Sequence, residues 1–425
     1  MNGVITIIAF LILLLARIPI GTSMGVASLF YLVFLSDIST IIQAQRMVQA
    51  FHTFPLIAVP LYILAANLMN QAKITDKIFS FAQNLVGYIP GGLAHVNIIS
   101  SMIFAGMSGS AIADSAGLGR IEIKAMNKMG YPLSFSAAVT AASSTIGPII
   151  PPSIMMILYG MLSEQSVAKL FVAGAIPGFL MGFSMMIFVY FISKKRKYPN
   201  ISFPGMKALL YSFIKAIPAL MTPAIIMGGI LGGIFTPTEA AVVAVVYSFF
   251  LGIASKEITL KESFSILKIS AINTATILWI FCNAAILSWI LTVENLPQIT
   301  CDWLLNITSQ TWVVLLILNI FLLIAGCILD PTPLLMIIAP IVIPILIKFN
   351  IDPIHFGVVM VLNLLIGLLT PPVGLGLFIV SDIAKISFNE ICKAVLPFFI
   401  PLLIVLILIT YIPGITLFLP NLIMK

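Results

Sequence analysis

Apolar runs that approach the roughly 20 residues needed to cross a bilayer recur along the whole of this 425-residue chain, and they constrain its fold more than any other feature. Membrane spans, not soluble domains, become the unit of organisation. Composition agrees, with 61% hydrophobic and only 8% charged residues, where soluble domains carry about 25% charged. The opening stretch MNGVITIIAFLILLLARIPIG lacks a basic n-region, and no small-residue cleavage site precedes a polar domain, so it reads as the first span.

Residues 1–425 are therefore expected to form a single all-α polytopic membrane unit. Spans are predicted near 4–35 (broken at Arg17 and Pro19), 54–71, 131–164, 167–193, 205–253 (broken near Pro237), 270–292, 352–383 and 389–418. Two regions, 92–129 and 312–349, are apolar but interrupted by Gly, Ser, Asp and Pro. Each flank is too short to cross alone, and both regions read as re-entrant hairpins.

The net charge of +7 does not indicate nucleic-acid binding, because the basic residues are scattered except at Lys194, Lys195, Arg196 and Lys197. That cluster follows an apolar run and belongs on the cytoplasmic side by the positive-inside rule; a polybasic surface for anionic lipid predicts the same placement. Cys282, Cys301, Cys327 and Cys392 form no CxxC pair, and His52, His95 and His355 are dispersed. No metal framework or disulfide scaffold is expected. Nor is an intramembrane enzyme: Asp114 and Asp330 have no GxGD-like context, and no HExxH pattern exists.

An internal repeat is written in the spacing. Ala105-Gly106, Gly147 and Pro151-Pro152 recur as Ala325-Gly326, Gly367 and Pro371-Pro372, each 220 positions on, as does Lys128 at Lys348. The pair of spans at 4–35 finds its counterpart at 219–253. Two halves follow, 1–200 and 201–425, the second inverted if an odd number of crossings separates the copies. Repeated halves with paired broken segments point to a secondary transporter whose site lies near the bilayer midplane.

The breaks carry the chemistry. Gly106, Ser108, Gly109 and Ser110 disfavour helix, so the chain should turn there and expose oxygens. Non-helical backbone at membrane depth must be buried or line a wet cavity. A bound hard cation gives such a turn a purpose; close helix contact through small residues is the alternative. In TAASSTIGPIIPPSIMM, Pro148 removes a donor while Pro151 and Pro152 suit the start of a new helix. Gly147 to Ile150 is then unwound, and its carbonyls with Ser108 and Ser110 make an all-oxygen set.

The second half has its turn at Asp330-Pro331-Thr332-Pro333 and is unwound around Gly367 to Thr370, with Asp330 in the place of Ser110. An acid in so apolar a setting suggests function, and an N-cap is compatible with it. Half-helix N-termini converging on a centre favour an anion, hence a carboxylate solute, with Ser144, Thr145, Thr332 and Asn363 available to line its pocket. Asp114 either lines it too or caps and pairs within the hairpin. The glycines at 228, 229, 232 and 233 read as close-packing GxxxG pairs, not a phosphate loop, and Glu239 as a structural acid in the first turn of its helix.

GMSGSAIADSAGLG, GPIIPPS, GGIFTPTEAAVV and GLLTPPVG, in this order from 106 to 374, resemble the large membrane subunit (DctM-like) of tripartite ATP-independent periplasmic (TRAP) transporters. The resemblance implies an elevator-type carrier of the wider ion-transporter superfamily in the bacterial inner membrane. It implies sodium ions as coupling ions, no other cofactor, and an organic-acid substrate. It also implies two partners: a small four-helix membrane subunit, here expected as a separate chain, and a periplasmic substrate-binding protein. By motif, one sodium site would use Ser108, Ser110, Gly147, Ile150 and Pro152, largely through backbone oxygens, and the other Gly326, Asp330, Gly367 and Thr370. A stand-alone sodium- or proton-coupled carboxylate carrier, or a channel or scaffold, are the other readings.

Overall fold

The computed structural model describes residues 2–424, and among them regular structure is entirely helical. The opening apolar run divides into α1 (Asn2–Leu15) and α2 (Ile20–Phe34), parted at Arg17, whose φ is +64°, and Pro19. After α3 (Ile41–Ala50) come α4 (Ala58–Gln71) and α5 (Ile74–Val86). Next is a helical hairpin, α6 (Gly92–Ser108) and α7 (Ala111–Lys128), and then a discontinuous helix, α8 (Leu133–Ser144) and α9 (Ile154–Leu162). The long α10 (Val167–Arg196) ends in the four-cation cluster.

The second half runs α11 (Met206–Leu231), α12 (Pro237–Ala254), α13 (Leu260–Val293) and α14 (Leu296–Ile307). A second hairpin follows, α15 (Thr311–Gly326) and α16 (Pro331–Lys348), and a second discontinuous helix, α17 (Pro353–Gly367) and α18 (Leu375–Ala384). The chain closes with α19 (Phe388–Val395), α20 (Phe399–Tyr411) and α21 (Pro413–Ile423). Ala111–Lys128 shifted by 220 is Pro331–Lys348, and α5 shifted by the same amount overlaps α14. Both Pro-Pro pairs are joined by cis peptides.

Seven helices are long and apolar enough to span a membrane among the described residues. Only 33% of the most apolar stretch of α10 is buried inside the protein, which leaves side chains such as Phe179, Phe183, Ile187 and Phe191 exposed for lipid.

Packing sorts the helices into two groups. In one, α1 lies on α2, α2 on α13, and α4 on α12 and α13, with α11 beside α12. In the other, α6, α7 and α8 pack together, α18 lies against α7 and α8, and α17 against α15, α16, α10 and α20. The short helices α5 and α14 join the groups, lying against α6 and α16 respectively. Lys73, between α4 and α5, reaches Glu257, between α12 and α13, with Nζ 2.7 Å from Oε2; that carboxylate raises the lysine pKa above its ordinary value.

Four elements correct the sequence reading. α13 begins at Leu260, not near 270, because Thr259 and Glu262 form a capping box ahead of a polar first turn. α3, α5 and α14 are additional short helices, too short or too polar to register as spans, and no residue of α3 is buried. The glycines of 228–233 make no helix–helix contact: a methyl group on Gly228 or Gly233 meets nothing within 4 Å, Gly232 meets its own turn and Ile234, and Gly229 is closed by Phe235. Glu239 does hold the expected place, its carboxylate accepting from the Thr236 amide at 2.8 Å at the head of α12.

Candidate functional site

Each hairpin tip rests against a break in a discontinuous helix. At the first tip Gly109 adopts φ +59°, and a side chain there would lie 2.5 Å from the Pro152 carbonyl, so glycine is required on both counts. Gly147 faces the Ser110 carbonyl, to which a methyl would stand at 3.3 Å. Ser110 caps α7, its hydroxyl accepting from the Ala113 amide at 3.4 Å. Ser108 is 1% exposed and its hydroxyl has no partner, an unsatisfied buried oxygen of the kind that calls for an explanation.

The break itself spans residues 145–153, wider than the 147–150 expected. It is braced from below by Ser153, whose hydroxyl donates to the Pro148 carbonyl and accepts from the Met156 amide at 3.2 Å, capping α9. Ile150 turns its side chain toward Gly178 of α10, where the absent Cβ leaves room for it.

The second tip is closer still. Gly326 and Gly367 touch backbone to backbone, and a methyl on Gly367 would stand 2.6 Å from the Gly326 Cα. The Val373 amide donates to the Cys327 carbonyl at 3.3 Å, tying tip to break. The Thr370 hydroxyl donates to the Ile366 carbonyl at 2.9 Å. Asp330 caps α16, accepting from the Thr332 amide at 3.0 Å.

The two tips meet across a cavity of about 270 Å³. Gly109 and Ser110 line it from one side and Asp330 to Pro333 from the other, with Pro148 and Leu368 from the two breaks. The first turns of α7, α9 and α16 all face it, through Ala111, Ile154 and Pro331; those of α7 and α9 bring N–H groups, whereas α16 opens with Pro331 and Pro333, which have none, and its Thr332 amide is held by Asp330. The remaining wall comes from the other helix group: Ile20 of α2, and Thr276, Ile277 and Ile280 of α13. Nothing in the sequence singled out that wall, because isoleucines in an apolar span carry no mark of the side they face.

Of the residues expected to line the pocket, Thr332 does, with Ser110 and Asp330 beside it. Asp114, Ser144, Thr145 and Asn363 do not; the last three are engaged elsewhere, and both Asp114 carboxylate oxygens are buried without a hydrogen-bond partner. The Ser144 hydroxyl turns back to the Ala141 carbonyl at 2.9 Å and that of Thr145 to Ala142 at 2.6 Å. The Asn363 amide donates to Asn319 Oδ1 at 2.8 Å. Asp114, 1% exposed, points into the hairpin beside Ser101, next to a buried chain in which Ser101 donates to Ser143, Ser143 to Asn97 Oδ1 and Asn97 to Thr140.

This architecture defines a class: an all-helical, multi-pass membrane protein built around paired hairpins and paired helix breaks. Solved structures of the same fold are the YdaH transporter of Alcanivorax borkumensis, with a TM-score of 0.63 over 89% of this chain and 90% of that one at 16% identity, and MtrF of Neisseria gonorrhoeae, with 0.56 over 96% and 94% at 13% identity. Residues 7–415 match the family described as the tripartite ATP-independent periplasmic transporter, DctM component. The chain is 42% identical to the sialic acid TRAP transporter large permease protein SiaM of Vibrio cholerae, covering 98% of both. It is 38% identical to the C4-dicarboxylate TRAP transporter large permease protein DctM of Pseudomonas aeruginosa, covering 94% of both.

The chain belongs to the DctM family: it is the large permease component of a TRAP transporter, a multi-pass inner-membrane protein that works with a small membrane subunit and a periplasmic substrate-binding protein. It is a transport component and not an enzyme.

Proposed function

We propose that this permease imports a carboxylate-bearing organic acid, delivered by the periplasmic binding protein, and that a sodium gradient drives the import through an elevator movement. The observation that carries the reading is the convergence of three helix N-termini and two hairpin tips on one cavity of about 270 Å³. The N–H groups at the heads of α7 and α9, with the helix dipoles, favour a carboxylate there, and the volume is near the lower end for small-molecule sites. Relatives named for sialic acid and for C4-dicarboxylates both carry acids, which supports the class of cargo.

Sodium fits the tips chemically. It takes oxygen ligands, and the donors gathered at the first tip are all oxygens: the unpartnered Ser108 hydroxyl, Ser110, and the backbone of Gly147, Ile150 and Pro152. The second set is Gly326, Asp330, Gly367 and Thr370, where the Asp330 carboxylate supplies a charge. Cations held at both tips would offset the charge of the acid between them and make sodium and cargo bind together.

The matching helix order of the halves supports an inverted repeat with re-entrant hairpins, the 92–129 and 312–349 regions opening to opposite faces. The Tyr131 hydroxyl, after the first hairpin, donates to the Pro199 carbonyl at 2.5 Å, whereas the start of α17, after the second, is joined at Pro353 by Tyr159 at the far end of the first discontinuous helix, 2.7 Å away. In this reading α6–α10 with α15–α20 carry cargo and ions past the helices that supply the apolar wall.

The deciding experiment is uptake of a panel of labelled organic acids into proteoliposomes holding this chain and the small subunit. Uptake of one acid that requires both inward sodium gradient and binding protein is expected. Uptake by this chain alone would instead establish a stand-alone carrier, and non-saturable, sodium-independent flux a channel.

A further inference from the structure

Along α7 the exposed side chains are Ile112, Arg120, Lys124, Asn127 and Lys128, with Ala116 half-buried between the first two. Ile112 lines the cavity between the tips, and Arg120, Lys124 and Lys128 are cations. At about 1.5 Å per residue, Arg120 lies about 12 Å inside the end of the hairpin arm. A guanidinium at such depth is costly against lipid and is found facing water, and Arg120 is exposed. Charges that only set topology belong in the loops or at the ends of spans, so Arg120 and Lys124 are deeper than orientation alone requires.

Their surroundings are concave. Arg120, Lys124 and Asn127 line an open cavity of about 460 Å³ with Asp382, in the last turn of α18, and Lys385, its C-cap. Asp382 is paired with Lys385 at 2.7 Å and more loosely attracts Arg120; among the described residues Lys124 and Lys128 have no carboxylate partner. The positive-inside rule puts the far end of α7 on the cytoplasmic face. Tyr131, just beyond it, packs its ring 5.2 Å from that of Tyr198, next to the four cations that close α10 and mark the inside.

We propose that this cationic strip is the release path of the anionic cargo, with the Arg120–Lys124–Asn127 hollow as a transient carboxylate subsite between the tip cavity and the cytoplasm. The strip begins where the cavity ends, winds roughly a third of a turn round α7 between Ile112 and Lys124 at 3.6 residues per turn, and has the sign of charge that draws an acid outward. The cargo's charge and direction rest on the carrier reading above; the existence of a wet, electropositive path does not, and the two are tested apart.

The first test places a thiol at Asn127→Cys, with Cys327 and Cys392 replaced by serine, and labels inside-out vesicles with impermeant anionic and cationic thiosulfonates. After normalising to a free thiol, the anionic reagent should react about tenfold faster, the order of enrichment a focused potential gives. The preference should vanish in R120Q/K124Q and be the same in neutral and anionic lipid. No labelling, or no preference for the anion, overturns the path; a preference that depends on the anionic lipid content assigns the surface to lipid headgroups and overturns it as well.

The second test measures uptake by the complete three-part system. R120Q/K124Q should lower the maximal rate about fivefold, leave the half-saturating level of cargo-loaded binding protein unchanged, and be rescued by R120K/K124R. An unchanged rate overturns a role in release. Sodium-independent uptake by the unsubstituted protein counts against the carrier reading and leaves the thiol ratio still readable.

Discussion

Asp330 holds two roles that one pair of substitutions separates. As N-cap of α16 it is replaceable by asparagine at little cost, whereas alanine forfeits about 1 kcal/mol of helix stability. As a sodium ligand it needs its charge. Asp330→Asn should therefore fold as the original does, yet require at least about tenfold more sodium for half-maximal uptake, one pK-sized step in affinity; an unshifted sodium dependence removes Asp330 from the site. Gly367→Ala should lower the melting temperature of the purified protein by an amount equivalent to about 2 kcal/mol or more, because its methyl would enter the Gly326 backbone. Gly228→Ala, which meets nothing, should stabilise helix α11 by about 0.5–1 kcal/mol. At this scale the sequence was legible where a residue sets the backbone: Ser110 and Asp330 cap the second arms of the hairpins, Thr332 follows in the first turn of α16, and non-helical backbone at membrane depth is either buried or lines a cavity. Ser144, Thr145 and Asn363 were misread because polarity alone says nothing of helical phase, and a hydroxyl can satisfy itself on its own helix.

Among the elements, the hairpins and the discontinuous helices are spelled out by proline and glycine; their outer bounds differ from the expected ones by a residue or two, while the two breaks run three and four residues further along the chain. The break at 145–153 depends on Ser153 for two hydrogen bonds. Ser153→Ala should lower stability by about 1–2 kcal/mol, read from thermal unfolding in detergent, with a larger fractional loss of uptake than of folded protein; equal losses would reduce Ser153 to a cap. The helices that the sequence concealed are those without a long apolar run. α5 and α14 show no span-like signal, since each has a polar side and is only about a dozen residues long. The start of α13 is marked in the sequence by Thr259 followed three positions later by Glu262, the capping-box pattern.

On the scale of the whole molecule, the carrier reading requires the tips to move past α2 and α13. Cysteines placed at Thr276 and Pro331, which line opposite sides of the cavity, should permit a reducible bifunctional thiol reagent to abolish sodium-driven uptake, with reduction restoring it. Full transport by the cross-linked protein would exclude relative motion of the groups. The wall formed by Ile20, Ile277 and Ile280 could not be read from sequence, because which side of a span meets a partner is decided by tertiary packing. It has a consequence for the cell's energy economy. A seam of isoleucines offers water no chain of hydrogen-bond partners, so protons have no wire across the resting protein, and dry apolar constrictions block ions in the same way. Ile280→Asn should wet that seam: vesicles carrying the variant should lose an imposed pH gradient faster than those with the original protein, in the absence of any cargo.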